Sequence, residues 1–198
     1  MALLFALLGP ASAARAQGLE VSPFYGYRFG GDFFELATHQ PVDLDGAPSM
    51  GVAVDVPLYA GLQIEGFYTH QEGDLVGIVT PGPGPVRPFR VAVDHYMGGA
   101  LQEFGGPRIR PFATAVFGLT RYAVEGDNEI RFAVSGGGGA KLFATPHIGL
   151  RLDGRISATF IDAHGTALAC GGAGCFLALH ATVAWQAEFT AGLLVRFR

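Results

Sequence analysis

The sequence has few charged residues, few cysteines and no long apolar run. Only 15% of its 198 residues are Asp, Glu, Lys or Arg, which is low for a soluble protein of this size. No run of about 18 or more apolar residues occurs, so a transmembrane helix is not predicted. Lys and Arg number 13 against 17 Asp and Glu, and without a basic excess a nucleic-acid partner is not expected.

The motifs of common enzyme and metal sites are missing as well. No Gly-x-Ser-x-Gly and no adjacent Ser-His pair occurs, and the six histidines are scattered, so no catalytic residue is assigned. The glycines within residues 81–85 lack the spacing of a phosphate-binding loop. No cofactor and no metal are predicted, although His164 and His180 flank the two cysteines and leave a metal site open as an alternative.

Residues 183–197 carry the clearest pattern that is present. Every odd position is apolar: Val183, Trp185, Ala187, Phe189, Ala191, Leu193, Val195 and Phe197. A period of two predicts a β-strand with one face in apolar surroundings. The strand is longer than the usual soluble strand of about 5–6 residues and suits a bilayer-crossing strand of about 9–11 residues with an overhang.

The same alternation predicts seven further strands, near residues 19–30, 49–56, 62–69, 91–104, 111–124, 130–142 and 148–160. Residues 31–48, 71–90 and 162–180 are predicted as long loops, and residues 57–61, 105–107 and 145–147 as tight turns. An even strand number, with short turns at one end and long loops at the other, is typical of outer-membrane barrels. The predicted fold is all-β: an eight-stranded, antiparallel, up-and-down transmembrane β-barrel.

The N-terminus resembles a secretory signal peptide. Residues 3–8 form a short apolar core, and Ala14-Arg15-Ala16 offers an A-x-A cleavage site. We therefore predict a signal peptide at residues 1–16 and one barrel domain at residues 17–198. An ordinary first helix is the alternative. Export and the barrel pattern together predict the bacterial outer membrane as the location.

Three local features point to a known family. These are Gly-Leu-Arg-Leu-Asp-Gly-Arg at residues 149–155, the four glycines of residues 136–139 within a strand, and the last strand with Phe197 near its end. With them the chain resembles the small eight-stranded outer-membrane barrels of Gram-negative bacteria, the OmpA/OmpX-like group, over residues 19–198. The resemblance implies contact with outer-membrane lipids and lipopolysaccharide, and with the barrel-insertion machinery through the C-terminal strand.

Turning the polar face of each strand inward predicts a charge network inside the barrel. Its members are Arg28, Asp55, Glu65, Asp94, Arg131, Lys141, Arg151, Asp153, Arg155, Glu188 and Arg196. In the strand at residues 91–104 this assignment puts Asp94, Tyr96 and Gln102 inside and His95 outside. An eight-stranded barrel is just wide enough for side chains to fill, and an unpaired buried charge costs several kcal/mol. The prediction is an interior plugged by salt bridges, with a gated narrow pore as the alternative.

Cys170 and Cys175, in Cys-Gly-Gly-Ala-Gly-Cys, are the only cysteines. In an exported protein they are predicted to form a disulfide. Tyr25, Tyr27, Tyr68, Tyr122 and Trp185 are candidates for the aromatic girdles at the membrane interfaces.

The expected role is structural or interactive: envelope integrity, and surface loops for adhesion or contact with an extracellular ligand. A narrow porin-like channel is the main alternative. A lipid-modifying outer-membrane enzyme and a soluble lipocalin-like carrier are less favoured. The carrier also has eight antiparallel strands, but its apolar face lines the interior.

Overall fold

The computed structural model describes residues 18–35, 41–76, 89–124, 127–161, 167–171, 174–180 and 183–197. The predicted signal peptide lies outside these residues. Among the residues described, none belongs to a helix that is long and apolar enough to cross a membrane. The described strands are β1 (Glu20–Gly30), β2 (Asp32–Glu35), β3 (Pro41–Leu44), β4 (Ala47–Tyr59), β5 (Leu62–Val76), β6 (Phe89–Glu103), β7 (Ile109–Val124), β8 (Asp127–Phe143), β9 (Ile148–Phe160), β10 (Ala167–Gly171), β11 (Gly174–His180) and β12 (Val183–Arg196).

Eight long strands, β1, β4 to β9 and β12, close into a barrel. Each pairs antiparallel with the next of the eight along the chain, and β12 pairs with β1 to complete the ring. The predicted eight-stranded, up-and-down antiparallel barrel is confirmed. Its tight turns join β4 to β5, β6 to β7 and β8 to β9 at one end, which we call the turn end. The opposite end is the loop end.

The strands are strongly staggered around the barrel. Following register partners from Arg121 in β7 through β6, β5, β4, β1, β12, β9 and β8 leads back to β7 at Pro111, ten residues away. For eight strands this stagger corresponds to a tilt of about 40–45° from the barrel axis. Because of this stagger, side chains from strands that are not neighbours, and that share no register pairing, meet inside the barrel.

Two of the predicted long loops contain strands. Within residues 31–48 and 162–180 the structure has β2, β3, β10 and β11, which extend the sheet from β5 in the order β5, β3, β2, β11, β10. The physical reason is a free edge: β5 continues to Val76 beyond its pairing with β4, and β3 pairs there with Leu75 and Val76. An unpaired edge of this kind is a template for a further strand.

Large apolar side chains cover the outer surface. Trp185, Phe117 and Tyr25 are each about 60% exposed. The interior holds charged and polar side chains around a smaller apolar cluster of Phe24, Ala53, Phe67, Met97, Val116 and Ala133. This distribution is the reverse of a lipocalin-like carrier. Tyr122 was wrongly assigned to a girdle, because it shares the inward-facing side of β7 with the buried Thr120.

The sequence assignment of β6 was wrong by one residue. His95 is buried inside, whereas Asp94, Tyr96 and Gln102 lie on the outer side of the strand. The inward positions that mislead are the apolar ones: Val91, Val93, Met97 and Leu101. All four are buried, and Met97 belongs to the apolar cluster, so polarity alone assigns the two faces of this strand the wrong way round.

Candidate functional site in the barrel interior

Arg151 of β9 lies at the centre of the charged interior. Its Nη1 is 2.7 Å from Oδ2 of Asp55, and its Nη2 is 2.6 Å from Oε1 of Glu65 and 3.0 Å from Oδ2 of Asp153. The guanidinium of arginine presents several N–H donors in a fixed plane, which suits contact with carboxylates from different strands. Arg151 thereby connects β9 to β4 and β5 across the lumen.

Arg155 lies four residues beyond Arg151 on β9, toward the loop end. It contacts two of the same carboxylates. Its Nη2 is 2.6 Å from both Glu65 Oε1 and Asp153 Oδ2. The guanidinium carbon also lies 3.8 Å from the centre of the Phe67 ring. A cation over an aromatic face is attracted by the ring, so Arg155 joins the charged part of the lumen to its apolar cluster. The hydroxyl of Thr114 donates to Glu65 as well.

Lys141 of β8 holds a second group of acids nearer the turn end. Its Nζ lies 2.7 Å from Glu20 Oε2, 2.8 Å from Asp55 Oδ2 and 3.0 Å from Glu103 Oε1, and it donates to Gln63 at 2.8 Å. The Lys141 side chain has no exposed surface. Since Asp55 accepts from both Lys141 and Arg151, the two groups form one continuous network.

Two further arginines complete the network at the turn-end mouth. Nε of Arg196 donates to Glu20 at 2.8 Å, and Nη1 of Arg110 donates to Glu103 at 3.2 Å. Five cations therefore face five carboxylates: Arg110, Lys141, Arg151, Arg155 and Arg196 against Glu20, Asp55, Glu65, Glu103 and Asp153. Charge is therefore balanced within this network near the turn end. A ring of side chains that selects ions of one sign carries a net charge instead.

A separate ion pair lies toward the loop end of the lumen. Nη2 of Arg28 is 3.3 Å from Oε1 of Glu188, and the Thr69 hydroxyl lies 2.8 Å from that nitrogen and donates to Glu188 at 2.9 Å. The side-chain amide of Gln71 donates to the carbonyl of Arg28 at 3.0 Å. All four side chains are buried, so the upper lumen is also filled by bonded polar groups.

Neutral polar pairs occupy the remaining upper lumen. Nε2 of His95 and Oε1 of Gln186 lie 3.2 Å apart, and the hydroxyls of Thr120 and Thr159 lie 3.0 Å apart. The hydroxyl of Ser157 also donates to that of Ser135. The pair of His95 and Gln186 connects β6 to β12 across the barrel, the threonine pair connects β7 to β9, and the serine pair joins the neighbouring strands β8 and β9.

The structure places nine of the predicted network residues inside and ion-paired: Arg28, Asp55, Glu65, Lys141, Arg151, Asp153, Arg155, Glu188 and Arg196. Arg131 lies on the inward side of β8 near the loop end, where it pairs with Glu129. Asp94 was wrongly included, because it lies on the outer side of β6.

The sequence assignment missed Glu20, Glu103 and Arg110. Glu20 is an even-numbered residue of β1, as are Ser22 and Arg28, and all three are buried. The alternation in the sequence was therefore sufficient to place Glu20 on the inward side. Glu103 becomes an interior residue only with the correct register of β6, so its omission and the error at Asp94 have the same cause.

The predicted disulfide has a compatible backbone. Cys170 and Cys175 are directly opposite in the antiparallel pair of β10 and β11. Opposed positions on antiparallel strands have Cα separations of about 4.5–5.5 Å, within the range that a disulfide bridges. The alternative of a metal site involves His164, which lies outside the described residues; among those described, no group of three or more His, Cys, Asp or Glu side chains is arranged to hold a metal ion.

We expect the two cysteines of the folded, exported protein to resist alkylation by iodoacetamide until a reductant is added. Mass spectrometry of the peptide that contains both residues would report the modification. The variant Cys170→Ser supplies the control, since its remaining thiol should be alkylated without reductant. Full alkylation of the unreduced protein would contradict the disulfide.

Comparison with known proteins finds similarity of structure only. No family model matches the sequence, and no curated protein matches it. The structure is similar to that of Neisserial surface protein A, with a TM-score of 0.58, 14% identity and coverage of 90% of this chain and 97% of that chain.

Two other solved structures are similar over nearly the whole chain. The outer membrane protein OprG from Pseudomonas aeruginosa has a TM-score of 0.56 and 8% identity, over 91% of this chain and 96% of its own. The outer membrane protein AlkL, solved in lipid bilayers, has a TM-score of 0.52 and 12% identity, over 98% and 97%. At such identities the likeness concerns the fold. The chain therefore has the fold of the small outer-membrane β-barrels.

Proposed function

We propose that this protein is an integral β-barrel of the bacterial outer membrane with a structural and interactive role. The observation that carries the proposal is the distribution of polarity: apolar side chains cover the outside, and paired charges fill the inside. In water the exposed apolar belt would be an aggregation surface, whereas in a bilayer it faces lipid. The similar proteins of known structure include outer-membrane proteins, which supports the same location.

The ion-paired interior favours a structural role over transport. Arg151, Arg155 and Lys141 each contact two or more carboxylates, so a solute crossing the barrel would have to break several buried contacts. Breaking one such buried pair costs about 3–5 kcal/mol. We infer that the lumen acts as a rigid, charge-balanced core.

Interaction would then take place at the outer surfaces. The sheet of β2, β3, β10 and β11 extends β5 at the loop end and offers a contact surface for an extracellular ligand. Lipid and lipopolysaccharide would surround the apolar belt, and the barrel-insertion machinery would recognise β12. Residues 1–16 would direct export and be removed.

We expect the protein to fractionate with the outer membrane and to change its mobility on SDS gels after boiling. A closed barrel with all its strands paired resists the detergent until heat opens it. Fractionation with and without boiling checks both points. A periplasmic band that shows no shift would contradict the proposal.

A narrow channel is the second candidate, and one observation favours it. Some buried polar atoms along the lumen have no hydrogen-bond partner among the described residues, including Nη1 of Arg28, Nη1 of Arg155 and Oδ1 of Asp55. Buried groups of this kind commonly bind internal water. Recordings in planar bilayers separate the two candidates: the plugged barrel is silent, whereas a channel shows steps that change when Glu65 is neutralised.

A further inference from the structure

A second polar cluster lies on the outside of the barrel. His70 of β5, Asp94 of β6 and Arg121 of β7 are register partners on adjacent strands and lie on the outward side. Asp94 Oδ1 accepts from the hydroxyl of Tyr68 at 3.1 Å and is 2.7 Å from Nδ1 of His70, and Oδ2 is 3.4 Å from Nη1 of Arg121. Three strands thus direct ionisable side chains to one place on the outward side, at the loop end of the apolar belt.

In this outer cluster the acidic side chain is buried and the basic side chains are partly exposed. The Asp94 side chain is 6% exposed, whereas that of Arg121 is 40% and that of His70 is 29% exposed. The side-chain oxygen of Asn128 accepts from Nε and Nη2 of Arg121 at 3.1 and 2.6 Å and fixes the guanidinium. A guanidinium has N–H donors beyond these contacts. Arg121 is therefore oriented in advance for an anion outside the barrel.

The position of the cluster fits the outer interface of a membrane. It lies toward the loop end of β5, β6 and β7, and the outward residues below it are apolar, among them Leu119, Phe117 and Ile64. A charge on the lipid-facing surface is costly at the bilayer midplane and tolerated near the interfaces. At this depth the anions that surround an outer-membrane barrel are the phosphates of lipid head groups.

A shallow trough begins directly below the cluster. Gly66 and Gly98 are register partners on the outward side, one step below Tyr68 and Tyr96. A Cβ at Gly66 or Gly98 would meet no atom closer than 3.9 or 3.8 Å, so packing does not require glycine at either position. The missing side chains leave room beside Ile64 for a hydrocarbon chain that descends from the cluster.

We propose that this face of β5, β6 and β7 binds one phosphorylated lipid of the outer leaflet. Its phosphate contacts Arg121, with His70 beside it, and one acyl chain lies over Gly66 and Gly98. The fork of the guanidinium matches phosphate oxygens geometrically. Glu72 is 60% exposed, and its carboxylate lies 3.7 Å from Nε2 of His70, where it competes with a phosphate for that nitrogen. Arg121 is therefore the main phosphate ligand. The inference rests on the proposed membrane location.

Native mass spectrometry of the full-length folded protein in detergent, with bisphosphorylated lipid A as the probe, tests the site. We expect wild type to retain one lipid A and Arg121→Gln to weaken retention about tenfold or more, because a hydrogen bond to a charged group is lost. Arg90→Gln is the matched control. Arg90 lies on the same side of β6, is 76% exposed and is 4.0 Å from Asp74, and this variant should retain lipid as wild type does.

A second pair of variants tests the trough independently of charge. Gly98→Leu should weaken retention without affecting folding, since its side chain points into open space. Ala191→Leu, at an exposed outward position of β12, should have no effect. Dephosphorylated lipid A should be retained weakly by every variant, and inorganic phosphate should not compete, because the ligand is a lipid and not a free ion.

Several outcomes would overturn the inference. One is equal retention by wild type, Arg121→Gln and Gly98→Leu. Others are full competition by inorganic phosphate, and a dimer that Arg121→Gln dissociates, which would make the patch an interface between two copies. A protein that inserts into the membrane and is indifferent to lipid A refutes only this site. A protein absent from the membrane refutes the proposed function itself.

Discussion

Replacing Arg151 with methionine is expected to lower the free energy of unfolding by about 3–5 kcal/mol, the range for removing one partner of a buried ion pair. Arg151 is buried and contacts Asp55, Glu65 and Asp153, so Arg151→Met leaves the lumen with an excess acid. Methionine keeps much of the side-chain length, which limits the cavity. Urea unfolding of the protein folded into lipid vesicles gives the free energy.

The matched control is Arg90→Met, which removes an exposed arginine from a 4.0 Å pair with Asp74. Its effect should be no more than about 1 kcal/mol, as for surface ion pairs. The double variant Arg151→Met/Asp55→Asn restores neutrality and should recover part of the loss. If Arg151→Met is no more harmful than Arg90→Met, the ionic interior does not stabilise the barrel.

A side chain at Gly139 is expected to destabilise the barrel by about 3 kcal/mol or more, at the upper end for overpacked interiors. Gly139 lies on the inward side of β8. An added Cβ there would overlap the carbonyl oxygen of Leu152 and lie 2.9 Å from Cζ of Phe112. Backbone and a packed ring cannot move aside easily, so we expect Gly139→Ala to lose the heat-sensitive gel band.

Gly136 of the same glycine run gives the internal control. Its added Cβ would point outward, with its nearest neighbour, the carbonyl oxygen of Thr114, 3.9 Å away. Gly136→Ala should change stability by about 0.5 kcal/mol or less, as surface substitutions do. Equal behaviour of the two alanine variants, in unfolding and on gels, would show that the inner glycine is not needed for close packing.

The interior residues show how much of the structure the sequence can predict. Alternation reveals which residues share a side of a strand, and in β9 and β12 the polar side is inside throughout, so Arg151 and Glu188 are assigned correctly. In β6 the same reasoning fails. The lumen contains an apolar region, and Met97 and Leu101 enter it, so the polar Asp94 is left outside.

The pairing of charges across the lumen could not be predicted from the sequence either. Which acid meets Lys141 depends on the stagger of the strands, and that property arises only when the sheet closes. Lys141 and Glu20 are far apart in sequence and belong to strands that are not neighbours, yet their side chains lie 2.7 Å apart. The sheet at the loop end escaped prediction because its strands are short and depend on the free edge of β5.

The pairing of β1 with β12 has a consequence for how the molecule forms. Glu20 is opposite Arg196 in this seam, and their side chains also pair, so the last ladder joins the two most distant strands of the barrel. Contacts of such large sequence separation slow folding, because a long chain must be ordered before they form. The lumen therefore cannot close before β12 has been synthesised, because β12 completes the ring. The ion pair of Glu20 with Arg196 forms only when β12 pairs with β1, so the closed, charge-balanced lumen is a late product of folding.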